Sequence, residues 1–241
     1  SGEIAFQDAD LSDTHTVSQG GPSFVWSGGP LTEAQQTALA AASHLDLTES
    51  DGSGGGSVGW TYSATDSAFD FLAVGETLIA TYDVTVADDH GASAVQPVIV
   101  AIHGTNDAPV IGGVASGSVT EDIAVDPTNN LTTGGVLTIV DVDHSQSSFI
   151  AQTGTPGNHG YGSFTLLADG TWSYTANNDQ AEIQRLGEGE SLTDSFTAVS
   201  IDGTETQTVN VTINGTNDRF VIGGVASGSV TEDVAVNPAN N

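Results

Sequence analysis

Ile111-Gly-Gly-Val-Ala-Ser-Gly-Ser-Val-Thr-Glu-Asp122 recurs unchanged as Ile222–Asp233, 111 residues further along the chain. Gly104-Thr-Asn-Asp107 returns as Gly215-Thr-Asn-Asp218 at the same separation. Self-similarity at a fixed period marks structural units stacked along one chain. Weaker landmarks fall into the same frame. Asp8-Ala-Asp10 answers Asp141-Val-Asp143, Trp60-Thr-Tyr62 answers Trp172-Ser-Tyr174, and Gly75-Glu-Thr-Leu78 answers Gly189-Glu-Ser-Leu192. The 241 residues therefore divide into a first repeat over 1–108, a complete second repeat over 109–219, and the opening of a third over 220–241. By repeat phase, Val119–Val125 is the opening strand of the second repeat, and Val230–Val236 duplicates it. The first repeat is expected to lack that strand, so the tail at 222–241 is expected to fill the vacant edge of another molecule, head to tail. The alternative is a free tail beside an open edge.

Within each repeat the hydrophobic period is two. Leu78–Val86 and Val209–Ile213 alternate apolar and polar residues, as half-buried strands do. Asp169-Gly170 between Phe164-Thr-Leu166 and Trp172-Ser-Tyr174 is a hairpin signal, and Trp60 and Trp172 are expected in the core. Short strands separated by turns over a repeat of this length indicate an all-β chain of tandem immunoglobulin-like or cadherin-like sandwiches. The first repeat also carries an insertion, because Asp10 to Trp60 spans 50 positions against 29 from Asp143 to Trp172. There, over 31–47, Thr32 and Gln35 form a capping box, and Leu31, Ala34, Ala38, Leu39, Ala42 and Leu45 recur at helical spacing. A helix is expected over Glu33–Leu45, followed by a plain loop through the Gly-rich stretch Asp51–Gly59.

Composition restricts the function. Thirty-one Asp and Glu face two arginines and no lysine, a net charge of −29. That charge excludes a phosphate-neutralising nucleic-acid surface and opposes docking on anionic membranes. No apolar run is long enough for membrane insertion. With no cysteine, neither disulfides nor thiolate metal sites exist. Self-repulsion of this size is met either by a solvated acidic surface or by bound divalent cations. For clusters of Asp, Asn and Glu the matching ion is Ca²⁺. His15, His44, His90, His103, His144 and His159 are scattered without zinc-site spacing, and no nucleophile–His–acid set stands out. The chain is therefore read as a non-enzyme.

Gly104-Thr-Asn-Asp-Ala-Pro-Val-Ile111, then Val119-Thr-Glu-Asp122, an Asp-x-Asp, an Asp-Gly hairpin leading to Trp-x-Tyr, and a second Gly-Thr-Asn-Asp together resemble the VCBS-type repeats of giant bacterial RTX and biofilm-associated surface adhesins. The resemblance covers nearly the whole chain. It implies an extracellular location on a bacterial cell surface, secretion by a type I system, and an extender of stacked sandwiches that holds a distal binding region away from the cell. It also implies stiffening by calcium at the joints between neighbouring repeats, in a pattern similar to that of cadherins. At the first joint the ligands would be Asn106 and Asp107 of the linker, Asp141, Asp143 and Asp202 of the second repeat, and Asp66 or Asp70 of the first. The next joint would use Glu121, Asp122, Asn217 and Asp218, with Asp179 or Glu182, and Asp8, Asp10 and Asp89 would face a preceding repeat. The competing explanation for each residue is turn chemistry, which Asn and Asp serve routinely. The alternative function is a module that binds a glycan or host surface through its loops and helical insertion.

Overall fold

The computed structural model describes residues 1–229 and Glu232. Two β-sandwiches account for these residues, each with its own apolar core. In the first, β1 (Gly2–Gln7), β5 (Gly55–Ala64) and β4 (Ser43–Gly52) form one sheet in the order β1-β5-β4. The other sheet is centred on β6 (Thr77–Asp88). One edge of β6 is shared by β2 (His15–Gln19) and β3 (Ser23–Trp26), and the other edge carries β7 (Ser93–His103). Inward residues of both sheets, among them Leu45, Val58, Tyr82, Val84 and Val98, make the core between them.

The second sandwich has a five-stranded sheet, in the order β11 (Gln152–Pro156), β12 (Ser163–Leu166), β13 (Thr171–Asn177), β10 (Asn130–Val140), β8 (Val110–Gly113). Facing it are β14 (Ser191–Val199), β15 (Thr206–Asn214) and β9 (Ser116–Thr120), with β9 parallel to β15. Trp172, Tyr174, Phe149, Phe164 and Phe196 are all fully buried between the sheets, each aromatic contributing about 1.5–3 kcal/mol of burial. The Asp169-Gly170 hairpin forms as expected, closed by Leu167 and Thr171.

The helical insertion differs from its expected form in two ways. Helix α1 (Glu33–Ala42) starts at the capping box, with Thr32 and Gln35 each accepting from the other's backbone N–H. It ends three residues early. From Ser43 the burial pattern switches to period two, and Leu45 enters the core as an inward strand residue rather than as the last turn of a helix. The Gly-rich stretch is not a loop but a hairpin: β4 and β5 pair from Ser43↔Ala64 to Gly52↔Gly55. The glycines permit close backbone approach. A Cβ at Gly56 would lie 2.2 Å from the Ser50 carbonyl oxygen and 2.7 Å from the Phe6 ring. The turn of this longer hairpin is Ser53-Gly54, between the paired Gly52 and Gly55, and Gly54 takes a left-handed φ of 78°.

Two further expectations need adjustment. The strand expected over Val119–Val125 ends at Thr120, where the chain turns through Glu121 and Asp122, Asp122 taking a left-handed φ of 59°. Trp60 packs on the first core but is only partly buried, unlike Trp172. Most of the Val230–Val236 segment lies outside the described residues.

A fully buried carboxylate, Asp194, ties together part of the second core. Asp194 accepts from the backbone N–H groups of His159 (2.9 Å), Gly162 (3.0 Å) and Ser195 (3.0 Å), and from the Tyr174 hydroxyl (3.2 Å). Gly157 allows this wrap, since a Cβ there would fall 2.1 Å from the carboxylate. Asp194→Ala strands four buried donors and is expected to cost the second repeat about 3 kcal/mol. Urea titration of the variant measures this, and a change below about 0.5 kcal/mol would contradict the role given to Asp194.

Candidate metal centre at the joint between repeats

The linker Gly104–Asp107 leaves β7 and runs onto the second sandwich, and carboxylates converge where it crosses. The Asp107 N–H donates to Asp143 Oδ2 at 2.8 Å, and the Asp143 N–H donates to Asp141 Oδ1 at 2.9 Å. Asn106 Nδ2 donates to Asp202 Oδ2 at 3.0 Å and to the Asp107 carbonyl at 2.8 Å. Asp-x-Asp does this because β10 ends at Val140: the chain bends, and the first carboxylate caps the N–H of the second. Asp66 and Asp70 stand on the other side of the linker, lining one small cleft with Asp107, His103 and Thr105. The linker pair, the Asp-x-Asp and Asp202 thus come together, with Asp66 and Asp70 across Asp107 from them.

The electrostatics of this cluster are unbalanced. Asp143 is only 3% exposed, and its Oδ1 has no hydrogen-bond partner. The same holds for the buried Asp141 Oδ2 and Gln146 Oε1 beside it. Burial pushes the Asp143 carboxyl above its ordinary value; the Asp107 N–H opposes this, and repulsion from Asp141, Asp107 and Asp202 adds to it. Burial also raises Asp202, but hydrogen bonds from Ser200, Thr204 and Asn106 together outweigh it and hold that group well below the usual carboxylate range. Among the described residues every ion pair involves a histidine, so no Lys or Arg neutralises the cluster. Three unpartnered buried oxygens on hard donors suit an oxygen-seeking divalent cation, with Asn106 and backbone carbonyls as further donors. The joint is also packed. The Trp26 indole meets the His144 ring at 4.7 Å and Phe71 at 5.2 Å. Glu76 accepts from the Trp26 indole N–H at 3.2 Å and lies 3.0 Å from His144 Nδ1, while the His144 N–H donates to the Phe71 carbonyl.

The turn after β9 shows the same chemistry one repeat further on. Glu121 is fully buried; one oxygen accepts the Thr216 N–H at 2.8 Å and the other has no partner. Burial raises its pKa, and Asp218 and Asp122 add to the rise against the Thr216 N–H. Asp122 is held by Asn178 (2.7 Å) and Gln184 (3.2 Å), not by Asp179 or Glu182. Asn217 is turned onto the Asp218 carbonyl. Asn178 was legible: it stands six residues after Trp172, as Asp66 stands six after Trp60.

At the opposite pole of the first repeat, Asp8, Asp10 and Asp13 bring carboxylate oxygens within 4.8 Å of one another, and Asp13, Asp89 and His90 do the same. Among the described residues no such triple of acidic or histidine side chains forms at the joint. Asp13 escaped the sequence reading, yet it follows Asp10 at the spacing by which Gln146 follows Asp143, so Asp-x-Asp-x-x-(Asp or Gln) marks both poles.

Residues 106–215, 110 of the 241, match a family model described as a bacterial cadherin-like domain. Solved structures similar to the chain include a protocadherin gammaB7 EC3-6 cis-dimer, 16% identical over 74% of this chain and 41% of that one, with a TM-score of 0.39. Chicken VE-cadherin EC1-2 is 16% identical over 81% of this chain and 92% of that one, with a TM-score of 0.29. The sialic acid binding region of a Streptococcus sanguinis SK1 adhesin is 9% identical over 89% and 74%, with a TM-score of 0.30. The chain spans about two fifths of the first protocadherin chain it matches. Likeness at this level does not extend to ligands or partners. No curated protein sequence matches.

The raised Asp143 carboxyl has a measurable consequence. Its proton is held more tightly folded than unfolded, so its contribution to stability is present below the ordinary 3.8 and is lost as pH rises through the folded value. Asp143→Asn, which keeps the acceptor for the Asp107 N–H, is therefore expected to melt higher than wild type in EDTA at neutral pH. The gap should close as pH falls toward 3.8. A variant that melts lower than wild type at every pH in EDTA would contradict this electrostatic picture.

Proposed function

We propose that the chain is a calcium-rigidified piece of an extender in a bacterial surface adhesin, working by holding a distal binding region away from the cell, with no catalytic turnover. The observation that carries this is the unpartnered, buried Oδ1 of Asp143 at the joint, beside the unpartnered Asp141 Oδ2. A carboxylate desolvated without a cation opposes folding. A divalent ion shared by Asp107, Asp141, Asp143 and Asp202, with Asn106 and with Asp66 or Asp70, would turn that cost into a clamp between two repeats. Glu121, Asp122 and Asp218 would serve the next joint in the same way, and Asp8, Asp10 and Asp89, with Asp13, the preceding one. Tandem adhesion repeats, a bacterial cadherin-like match over 106–215 and a net charge of −29 fit an extracellular, calcium-rich setting. The VCBS-type and RTX resemblance and type I secretion belong to this same reading. Among the described residues no helix is long and apolar enough to cross a membrane.

The alternative, a glycan- or host-binding module built on the insertion, has less support. Helix α1 buries Leu39 against Leu72 and Leu78, with Trp26 and Phe71 packed alongside. That places the insertion under the joint contact, where it stiffens the end of the first repeat.

Calorimetry at fixed protein concentration tests the proposal. Millimolar Ca²⁺ is expected to raise the melting midpoint over that in EDTA, by about 2.7 kcal/mol per site at a hundredfold excess over the dissociation constant. Mg²⁺ should do much less, because it gives up its water reluctantly. Asp141→Ala with Asp143→Ala should remove the part of the shift that belongs to the joint. An unchanged midpoint in Ca²⁺ would overturn the proposal.

A further inference from the structure

In a β-sheet every second side chain points away from the core. On the five-stranded sheet of the second repeat those outward side chains carry no charge, because none of β8, β10, β11, β12 and β13 contains an Asp, Glu, Lys or Arg. The chain as a whole carries a net charge of −29, so an uncharged sheet of this size stands apart from the rest of the surface. In the first repeat, the sheet β1-β5-β4 bears the exposed Glu3, Asp46 and Glu49, and the sheet around β6 bears the exposed Asp83.

The same face is partly apolar. Val136 and Val140 flank the core-facing Leu137 and Ile139 on β10, and Val110 of β8 lies beside Val140. Val110, Val136 and Val140 are 73%, 49% and 67% exposed, and Leu167, whose N–H donates to the Thr171 carbonyl, is 49% exposed. Ser173 stands at the centre of the face, on the middle strand β13 between Gly134 and Thr165. Acidic groups stay at its margin: Asp141 just beyond β10, and Asp169 in the hairpin turn. The outer face of the opposite sheet is also uncharged, but its strands present Thr193, Asn210, Thr212 and Ser118 and no large exposed apolar side chain. Water satisfies such groups as well as a partner does. Bared valine and leucine on a neutral sheet instead mark an interaction site.

We infer that this face pairs with the same face of a second copy, a two-fold lateral contact between second repeats. An isologous contact sets a patch against itself, so a patch that bears carboxylates meets its own carboxylates, which is strongly disfavoured. On the five-stranded face two copies of a −29 chain meet without that penalty, and they remove valine and leucine from water. A cationic partner would be drawn to the acidic faces and gain nothing here. Five strands about 4.8 Å apart, each about seven residues long, span about 20 by 23 Å. That is about 500 Å² on each copy and about 1,000 Å² in all, the low end of specific interfaces. The contact is therefore weak. Net charge opposes it at long range, so it tightens as salt screens the repulsion.

Sedimentation of the full chain tests this in EDTA, where bound calcium plays no part. Dimers are expected at about 1 mM protein. Association should tighten about ten-fold or more between 0.01 M and 1 M NaCl, as the screening length falls from about 30 Å to about 3 Å. Ser173→Glu sets like charges across the centre of the contact and is expected to weaken it about ten-fold or more. Ser173→Arg alone should do the same, and an equal mixture of the two variants should restore the dimer. Thr208→Glu places the same charge on the outer face of the opposite sheet and should leave association unchanged. Melting midpoints of the variants equal to that of wild type show that the fold is kept. A monomer at every salt concentration, a Ser173→Glu dimer as tight as wild type, or a mixture that stays monomeric would overturn the inference. So would a dimer lost in Thr208→Glu and kept in Ser173→Glu, which would move the contact to the three-stranded face.

Discussion

Desolvation of Asp143 is the constraint around which the joint is arranged. The Asp107 N–H satisfies one oxygen and nothing in the chain satisfies the other. Two arginines cannot balance 31 carboxylates, so the usual remedy for a buried acid, an Arg or Lys alongside, is closed to this protein. What the fold supplies instead is more oxygen: Asp141, Asp202 and Asn106 gather at the same end of the second sandwich. An arrangement that worsens repulsion in isolation becomes favourable once a divalent charge enters it. The same reasoning explains the buried Glu121, whose neighbours Asp218 and Asp122 are again acidic.

The two sandwiches solve similar packing problems with different side chains. The second has a closed core around Trp172 and an Asp194 carboxylate that ties a surface loop to Tyr174. The first is more open: Trp60 is half-buried, two sheet edges carry no added strand among the described residues, and a capped helix covers the end nearest its neighbour. Trp26, Phe71 and His144 then pack across the joint. Relative motion of the repeats must break this aromatic contact as well as the carboxylate cluster, so rigidity would have an apolar and an ionic component.

Much of this was legible in the sequence, for identifiable reasons. Exact repetition gave the period, alternation gave the strands, and the capping box placed the start of α1 to the residue. Where the reading slipped, two local signals competed. Leu45 completes a helical stripe and also opens an alternating strand, and only its burial beside Val58 decides between them. Gly55-Gly-Ser-Val58 looks like a loop because glycine has weak strand propensity, yet close backbone approach to β1 is what requires it. Asp66, Asp107, Asp141, Asp143 and Asp202 were flagged by their position in the repeat. Asn178 and Gln184, which donate to Asp122, were passed over in favour of the neighbouring acids Asp179 and Glu182. The contact between Glu76, Trp26 and His144 left no trace in spacing, since it joins residues far apart in sequence.

If a divalent cation fixes the angle between the repeats, the distance between them reports it most directly. Spin labels at E49C on the first repeat and T197C on the second, in a chain otherwise free of cysteine, report that distance by pulsed electron resonance. The account requires a broad distribution in EDTA that narrows to one peak in Ca²⁺, and no narrowing when Asp141 and Asp143 are both alanine. A distribution equally narrow with and without Ca²⁺ would mean that the aromatic contact alone sets the joint. One that stays broad in Ca²⁺ would mean that the carboxylates do not clamp it. Either result would contradict the account.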